Sequence, residues 1–469
     1  MNSAGATPDV LPAARRPDAV AGACRGLLLL AGLLWAGMAG FSQVYEETAT
    51  PVQGLSLGVG VGLVALSLGT RGGLAWLRAP VLWLLAAHVA AAITSGLIRG
   101  SEAADLLRTA ALLPALAALV ALARAAPAGA AALRVGMTWA GVVFVAFHLR
   151  HLDFSSLLDP RYRLSVFLNP NSTGFIAAMT AVSALELGWT QRRIVPRLGW
   201  LGVAGLGALL CFSTKSRTAL AAGLAGGFVV AWLRASRPLL RWGLVAAMGG
   251  LVFLAMRALP PESVVETLSL DDRDRSILSG TGRYEVWRLV LWELWPRHPL
   301  LGLGPGLHGE EVMAATGVSS AHNGLLMALA ETGLLGTIPL ALILALCLRQ
   351  FWRQRLHLDL AAPAGLFAAG VVESLGEVML FSMGNPGSLL FLWAVAWLGS
   401  GPVGRPKSPA GEGWGKGTDS GRGRLPPGPA VDPGEARQLQ LSSLPARPRC
   451  STSPAECLSD GEPPGQAAP

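Results

Sequence analysis

Unbroken apolar runs, rather than an alternation or a one-faced helical stripe, dominate this chain. They fall at about 23–41, 55–70, 81–97, 105–123, 132–147, 172–189, 198–213, 219–233, 242–257, 323–350, 361–381 and 387–401. Such runs cross the ~30 Å hydrocarbon core of a bilayer as helices, which satisfy their own backbone where no water can. The pattern predicts an all-α polytopic membrane protein with about twelve transmembrane helices. Two segments break it: 258–322, one large loop expected to contain short helices, and 402–469, rich in Pro and Gly without apolar period. The latter cannot bury enough surface to offset ordering entropy and is expected to be disordered. The expected organisation is an N-terminal segment 1–22, helices one to nine over 23–257, the 258–322 loop, helices ten to twelve over 323–401, and the 402–469 tail.

Within the loop, "TGRYEVWRLVLWELWPRHP" at 281–299 has helical spacing and is expected to stop at Pro296. Its Trp287, Trp292 and Trp295 suit a membrane interface. Gly302, Gly304, Gly306 and Gly309 follow, and would let backbone approach a ligand or another helix.

Composition agrees with the pattern. Of 469 residues 52% are hydrophobic and 14% charged, with mean hydropathy +0.48, which excludes a soluble domain with a charged exterior. Orientation follows the basic residues. Arg15/Arg16/Arg25, Arg71/Arg78, Arg124, Arg192/Arg193/Arg197, Arg234/Arg237/Arg241 and Arg349/Arg353/Arg355 fall on alternate connections, so both termini are expected in the cytoplasm and the large loop outside. The net charge of +8 then faces anionic lipid headgroups and calls for no nucleic acid. A cleavable signal ending near "GMAGF" competes with an uncleaved first span, and the span is favoured. Cys24, Cys211, Cys347, Cys450 and Cys457 form neither a disulfide framework nor a metal-site spacing.

The remaining signal is basic residues on the wrong side: Arg99, Arg108, Arg150, Arg161, Arg163, Lys215, Arg217 and Arg257. Singly, each is explained by snorkelling or surface pairing. In "CFSTKSRTALAAG", however, Lys215 and Arg217 share a very short outer turn with Ser216 and Thr218, either of which is placed to cap the next helix. Two cations beside helix N-terminal amides make an anion site, with phosphate the natural ligand; the same turn also suits lipid headgroups. Arg283, after Gly282, either joins that anion or pairs with Glu285 or a loop aspartate. Asp271, Asp272 and Asp274 alternate with arginines, as in a self-neutralised turn, and no metal or cofactor is expected there. His322, in "SSAHNGLLMALA", changes charge near neutral pH and is either a base or a helix cap, with Asn323 placed to orient it or bind a hydroxyl. His298 and His308 share the loop. Glu373 and Glu377, one helical turn apart, keep open a transporter of a small polar or anionic solute.

Four stretches together resemble the O-antigen ligase and polymerase family of bacterial membrane glycosyltransferases, which are GT-C-like. They are "LNPNSTGFIAAM" (168–179), "STKSRTALAAG" (213–223), "SGTGRYEVWRLVLWELWPRHPLLGLGPG" (279–306) and "SAHNGLLMALAETGLLG" (320–336). Their order, their spacing against the spans and the large loop ahead of His-Asn match, over roughly 165–380. The resemblance implies transfer of a glycan from undecaprenyl diphosphate to an acceptor hydroxyl, lipid A-core or another glycan or protein, at the periplasmic face of the bacterial inner membrane. It implies that Arg217 and Arg283 bind the diphosphate and that His322 acts on the acceptor. Lys215, Arg288 and Asn323 would be further substrate contacts, and Asn169 and Asn171 structural or acceptor-side residues. Ligase is expected over polymerase or protein O-oligosaccharyltransferase. An inactive scaffold of a polysaccharide assembly complex is the remaining alternative.

Overall fold

The computed structural model describes residues 16–44, 62, 73–157, 162–164, 168–235, 237, 239–243, 245–246, 283–317, 320–354, 360–377 and 386–400. Expected spans 55–70 and 242–257 fall wholly or mostly outside the described residues, as do Asp271, Asp272 and Asp274, Arg161, Arg257 and the 402–469 tail. Every regular element among the described residues is helical. In chain order they are α1 (Arg16–Val44), a 3-10 turn (Gly73–Arg78), α2 (Pro80–Arg99), α3 (Ala103–Ala125), α4 (Pro127–Leu149), α5 (Pro170–Thr190), α6 (Ile194–Ser213) and α7 (Arg217–Arg234). After these come α8 (Arg283–Leu289), α9 (Leu307–Thr316), α10 (Gly324–Gln354), α11 (Ala361–Ser374) and α12 (Pro386–Gly399). Helices α2, α3, α4, α6 and α10 are long and apolar enough to cross a membrane.

Ten of the expected runs coincide with helices, with two boundary corrections. The run 361–381 gives a helix that ends at Ser374, because Leu375 and Gly376 turn the chain. The loop helix also outlasts Pro296: α8 continues through a π-helical turn, Val290–Leu294, and a last turn, Trp295–Arg297, that contains the proline. The wide π turn just before Pro296 relaxes the demand for the N–H that proline lacks.

Small residues set the closest approaches. Gly226 of α7 and Gly365 of α11 face each other, and a Cβ on either would stand 2.7 or 2.9 Å from the other's carbonyl oxygen. Two backbones meet there without side chains between them, as in small-residue membrane interfaces. Helix α10 breaks at Gly333 (φ 57°, ψ −159°), and the 299–304 segment fills the break. Leu334 and Leu335 N–H donate to the Pro299 and Leu300 carbonyls at 2.9 and 3.1 Å, while Leu303 and Gly304 N–H donate to Ala330 and Glu331 at 2.8 and 2.9 Å. Backbone freed by a break in an apolar helix must find partners, and this segment supplies them. Gly302 sits so close to Glu331 that a Cβ would lie 2.4 Å from its carbonyl carbon. The glycine run thus serves contact with another helix.

At the end of the bundle where α7 terminates, Glu186 of α5 accepts from Arg134 of α4 at 2.8 Å and from Arg234 of α7, with the Arg134 guanidinium 5.3 Å from the Trp393 ring centre in α12. Glu186 and Arg134 are buried. This cluster ties four helices together far from the residues discussed next. Replacing Glu186→Leu leaves two buried cations without their anion and is expected to cost about 3–5 kcal/mol. The check is thermal unfolding in detergent, where an unchanged midpoint would show the cluster to be dispensable.

Candidate active site

The starts of α5, α7, α8 and α10 and the turn after α11 meet at the other end of the bundle. Their meeting point is Glu377, which is 4% exposed. Its Oε1 accepts from Arg283 Nη2 at 2.8 Å and from Asn171 Nδ2 at 2.6 Å. Its Oε2 lies 3.2 Å from His322 Nδ1. A carboxylate held by an arginine and an amide can only accept, so Nδ1 carries the proton in this contact. That leaves the Nε2 lone pair of His322, which has no partner among the described residues.

Local conformation serves this arrangement. His322 (φ 46°) and Lys215 (φ 51°) are the non-glycine residues with left-handed backbone among those described, and both belong to this end. Each such conformation costs on the order of 1 kcal/mol or more, and such residues cluster at functional sites. The cap of α10 is Asn323 and not His322: Asn323 Oδ1 accepts from Leu325 and Leu326 N–H at 3.1 and 3.0 Å, and its Nδ2 donates to the Leu375 carbonyl at 3.2 Å. The histidine is therefore released from capping, and its neighbour fastens the helix start to the turn that carries Glu377. Ser216 caps α7, accepting from Ala219 N–H at 3.4 Å.

Arg217 opens α7, half-buried, and makes no hydrogen bond or ion pair with any described residue. The charges it feels are those of Arg283 and Arg163. Arg163 is itself anchored, Nε donating to the Thr214 carbonyl at 3.1 Å and Nη2 to Asn171 Oδ1 at 2.9 Å. Three guanidiniums thus lie near one another, and among the described residues Arg217 is the one of them without a hydrogen-bond or ion-pair partner. Lys215 turns elsewhere, its ammonium donating to the Leu157 carbonyl at 3.0 Å and lying 4.2 Å from the Phe212 ring centre. Arg288 is exposed and makes no hydrogen bond or ion pair with a described residue. Asn169 caps α5 by accepting from Asn171 N–H at 2.9 Å.

The two glutamates separate in role. Glu377 lies beyond α11, at the mouth of the bundle rather than in mid-span. Glu373, in the last turn of α11, is wholly buried, and neither carboxyl oxygen has a well-formed hydrogen bond although Thr218 is alongside. The other loop histidines are committed. His308 Nδ1 meets Glu331 Oε1 at 2.7 Å, and His298 Nδ1 accepts from Arg99 at 2.7 Å. Burial, then the charges of Arg99 and Arg297, holds the His298 imidazole below its ordinary pKa. Among the described residues no group of acidic, Cys and His side chains is arranged to hold a metal ion.

Spacing brought Arg283 and His322 forward but not Glu377 as their link, nor Arg163 and Asn171 as the brace behind it. The signal for Glu377 was present, an acid at the end of an apolar run, but it was read only as a pointer to a transport path.

Residues 202–341 match the family model described as O-antigen ligase, which supports the resemblance to the O-antigen ligase/polymerase family. The match includes Lys215, Arg217, Arg283, Arg288, His322 and Asn323 and ends before Glu377. A comparison with curated proteins gives no match.

Because Glu377 serves three donors, Glu377→Ala is expected to destabilise the folded chain by about 1–3 kcal/mol. A double-mutant cycle with Arg283→Ala should return a coupling of about 0.5–3 kcal/mol. Additive losses in thermal or denaturant unfolding would mean that the two side chains do not act as a pair.

Proposed function

We propose that this protein is a membrane glycosyltransferase of the O-antigen ligase type. It moves a glycan from undecaprenyl diphosphate to an acceptor hydroxyl on lipid A-core, at the periplasmic face of the bacterial inner membrane. The observation that carries this reading is the pairing of an unshared arginine, Arg217, with the Arg283–Glu377–His322 chain at one end of the bundle. In this reading the chain spans the membrane about twelve times with both termini in the cytoplasm. Residues 258–322 lie outside, and the 402–469 tail lies inside.

The chemistry follows from which atoms are committed. The diphosphate of the donor docks against Arg217, whose N–H groups are otherwise unsatisfied, and against the face of Arg283 turned away from Glu377. The acceptor hydroxyl approaches His322 Nε2. As its oxygen attacks C1 of the first sugar, Nε2 takes the hydroxyl proton and the C1–O bond to phosphate breaks. The electron pair of that bond leaves with the diphosphate, where the guanidiniums neutralise it. A single displacement of this kind inverts the anomeric centre. Glu377 transfers nothing; it keeps the proton on Nδ1, orients the ring and stabilises the imidazolium formed, the part a carboxylate plays behind a catalytic histidine. The residues' own cations meet the departing charge, so the mechanism calls for no cofactor. Asn323 and Lys215 support the site from their cap and loop contacts.

Polymerisation of repeat units, or transfer to Ser and Thr of secreted proteins, would use the same groups with another acceptor. The assay that decides supplies purified protein with lipid-linked glycan and each acceptor in turn.

Arg217→Ala, Arg283→Ala and His322→Ala are each expected to lower transfer at least about 10²-fold, the scale of one lost acid-base or charge-stabilising group. Membrane insertion should be kept. Arg217→Lys should restore only part, because lysine cannot grip a phosphate with two parallel bonds. Transfer should also persist in excess chelator. Full activity in His322→Ala, or solute uptake into proteoliposomes surviving His322→Ala and Arg217→Ala, would sink the enzyme reading.

A further inference from the structure

Helix α8 leads outward from Arg283, and its two sides differ. Val286, Val290 and Leu294 are buried with Val312 of α9, Ala321 and Ala330. Tyr284, Arg288 and Trp292 lie on the other side, and all three are exposed. An ordinary helix turns each fourth residue roughly 40° away from the line. The wider π turn at Val290–Leu294 offsets that drift, keeping Trp292 in register with Arg288 and Leu294 in register with Val290.

The resulting stripe is aromatic, cation, aromatic. Tyr284 is 53% exposed and Trp292 74% exposed, so each presents a ring face outside the packed core. Between them Arg288 has no hydrogen bond or ion pair among the described residues, although Glu285 and Glu293 flank it on the same helix. Its donors are open. The stripe is also held in fixed relation to the candidate active site. Arg283, one residue before Tyr284, bonds Glu377, and Trp287 Nε1 donates to the Ala321 carbonyl at 2.9 Å, next to His322. Tyr284 packs edge-on against Trp287, ring centres 5.6 Å apart and planes at 88°, which fixes the direction of its exposed face.

We infer that Tyr284, Arg288 and Trp292 form a carbohydrate subsite that holds the glycan of the lipid-linked donor as it extends from the reaction centre. This rests on the reading proposed above. The flat face of a sugar ring carries several C–H groups that pack against an indole or phenol, while its hydroxyls accept hydrogen bonds from a planar guanidinium. Eight residues of helix place Tyr284 and Trp292 about 12 Å apart along the axis, long enough for a short run of rings. A lipid surface would also welcome exposed aromatics. Two carboxylates beside the stripe and an open guanidinium within it favour a polar, hydroxylated and uncharged occupant.

The test has two arms. In the first, the full-length protein in detergent is mixed with oligosaccharide freed by mild acid from the cell's lipid-linked fraction, and binding is read by saturation-transfer NMR. Wild type and Arg217→Ala should bind alike, since the probe has no diphosphate, while Tyr284→Ala and Trp292→Ala should weaken binding about tenfold. Trp292→Phe should restore most of it. In the second arm, transfer is measured with donors of one sugar and of several. The two alanine variants should raise KM severalfold for the longer donor, with much less effect on the shorter and little on kcat. Unaltered glycan binding in Tyr284→Ala and Trp292→Ala would overturn the proposal. So would a loss confined to stability in lipid vesicles, which would make the stripe a membrane contact. If wild type binds the glycan through the stripe yet transfers from no donor, the catalytic reading fails and the subsite stands.

Discussion

The arrangement at the mouth of the bundle depends on one carboxylate having two oxygens and three claimants. Arg283 and Asn171 share Oε1 of Glu377, and His322 takes Oε2. These donors come from α8, α5 and the start of α10, far apart in the chain. Nothing but their common acceptor requires them to be neighbours. Because Glu377 is almost wholly buried, its charge depends on those donors, and each donor's orientation depends on the others remaining in place. Both proposed roles, a base directed outward and a cation directed at phosphate, come from this sharing. The contact with Glu377 decides which nitrogen of His322 is left over and which face of Arg283 is left over.

Holding the carboxylate in position is a backbone problem. Glu377 follows α11, and α11 is set against α7, the helix that begins with Arg217, by the Gly226–Gly365 contact. A larger residue at either position would push apart the helices that carry Arg217 and Glu377. His322 depends on α10, which is broken at Gly333 and stitched to the 299–304 segment. That segment follows directly on the helix carrying Arg283, so the stitch and the Arg283–Glu377 bond brace the same loop from two sides. Gly376, whose added Cβ would stand 2.1 Å from Thr218 Cγ2 and 3.2 Å from Arg283 Nη1, keeps that corner clear.

The fold class was legible because apolar runs report lipid directly, and ten of the runs coincide with described helices. Arg217, Arg283 and His322 were legible in part, as titratable or cationic groups beside apolar runs, and the resemblance to the O-antigen ligases ordered them. What sequence could not convey was pairing. Glu377 sits 55 positions from His322 and 94 from Arg283, and no periodicity links such distances. The same blindness left open whether His322 caps α10, since either polar residue before an apolar run can do so, and only geometry shows the Asn323 amide doing it. The stop expected at Pro296 falls one residue short of the helix end at Arg297, and a π turn, Val290–Leu294, precedes it.

The two buried ion clusters show how a structural group of charges differs from one built to receive a ligand. At the far end of the bundle, Arg134 and Arg234 are both spent on Glu186, and Trp393 covers the Arg134 guanidinium. Little of either guanidinium is exposed, and the cluster ties α4, α5, α7 and α12 together. At the mouth, Arg163 is spent on Asn171 and Thr214 and Arg283 is half spent on Glu377, but Arg217 has no partner among the described residues. A half-buried guanidinium close to two others is costly unless an anion is supplied. In the proposed reading a lipid diphosphate would bring that anion with its sugar already attached, so that binding the donor would offset the repulsion among the arginines. In the proposed mechanism the same step would bring C1 of the sugar to the acceptor hydroxyl at His322.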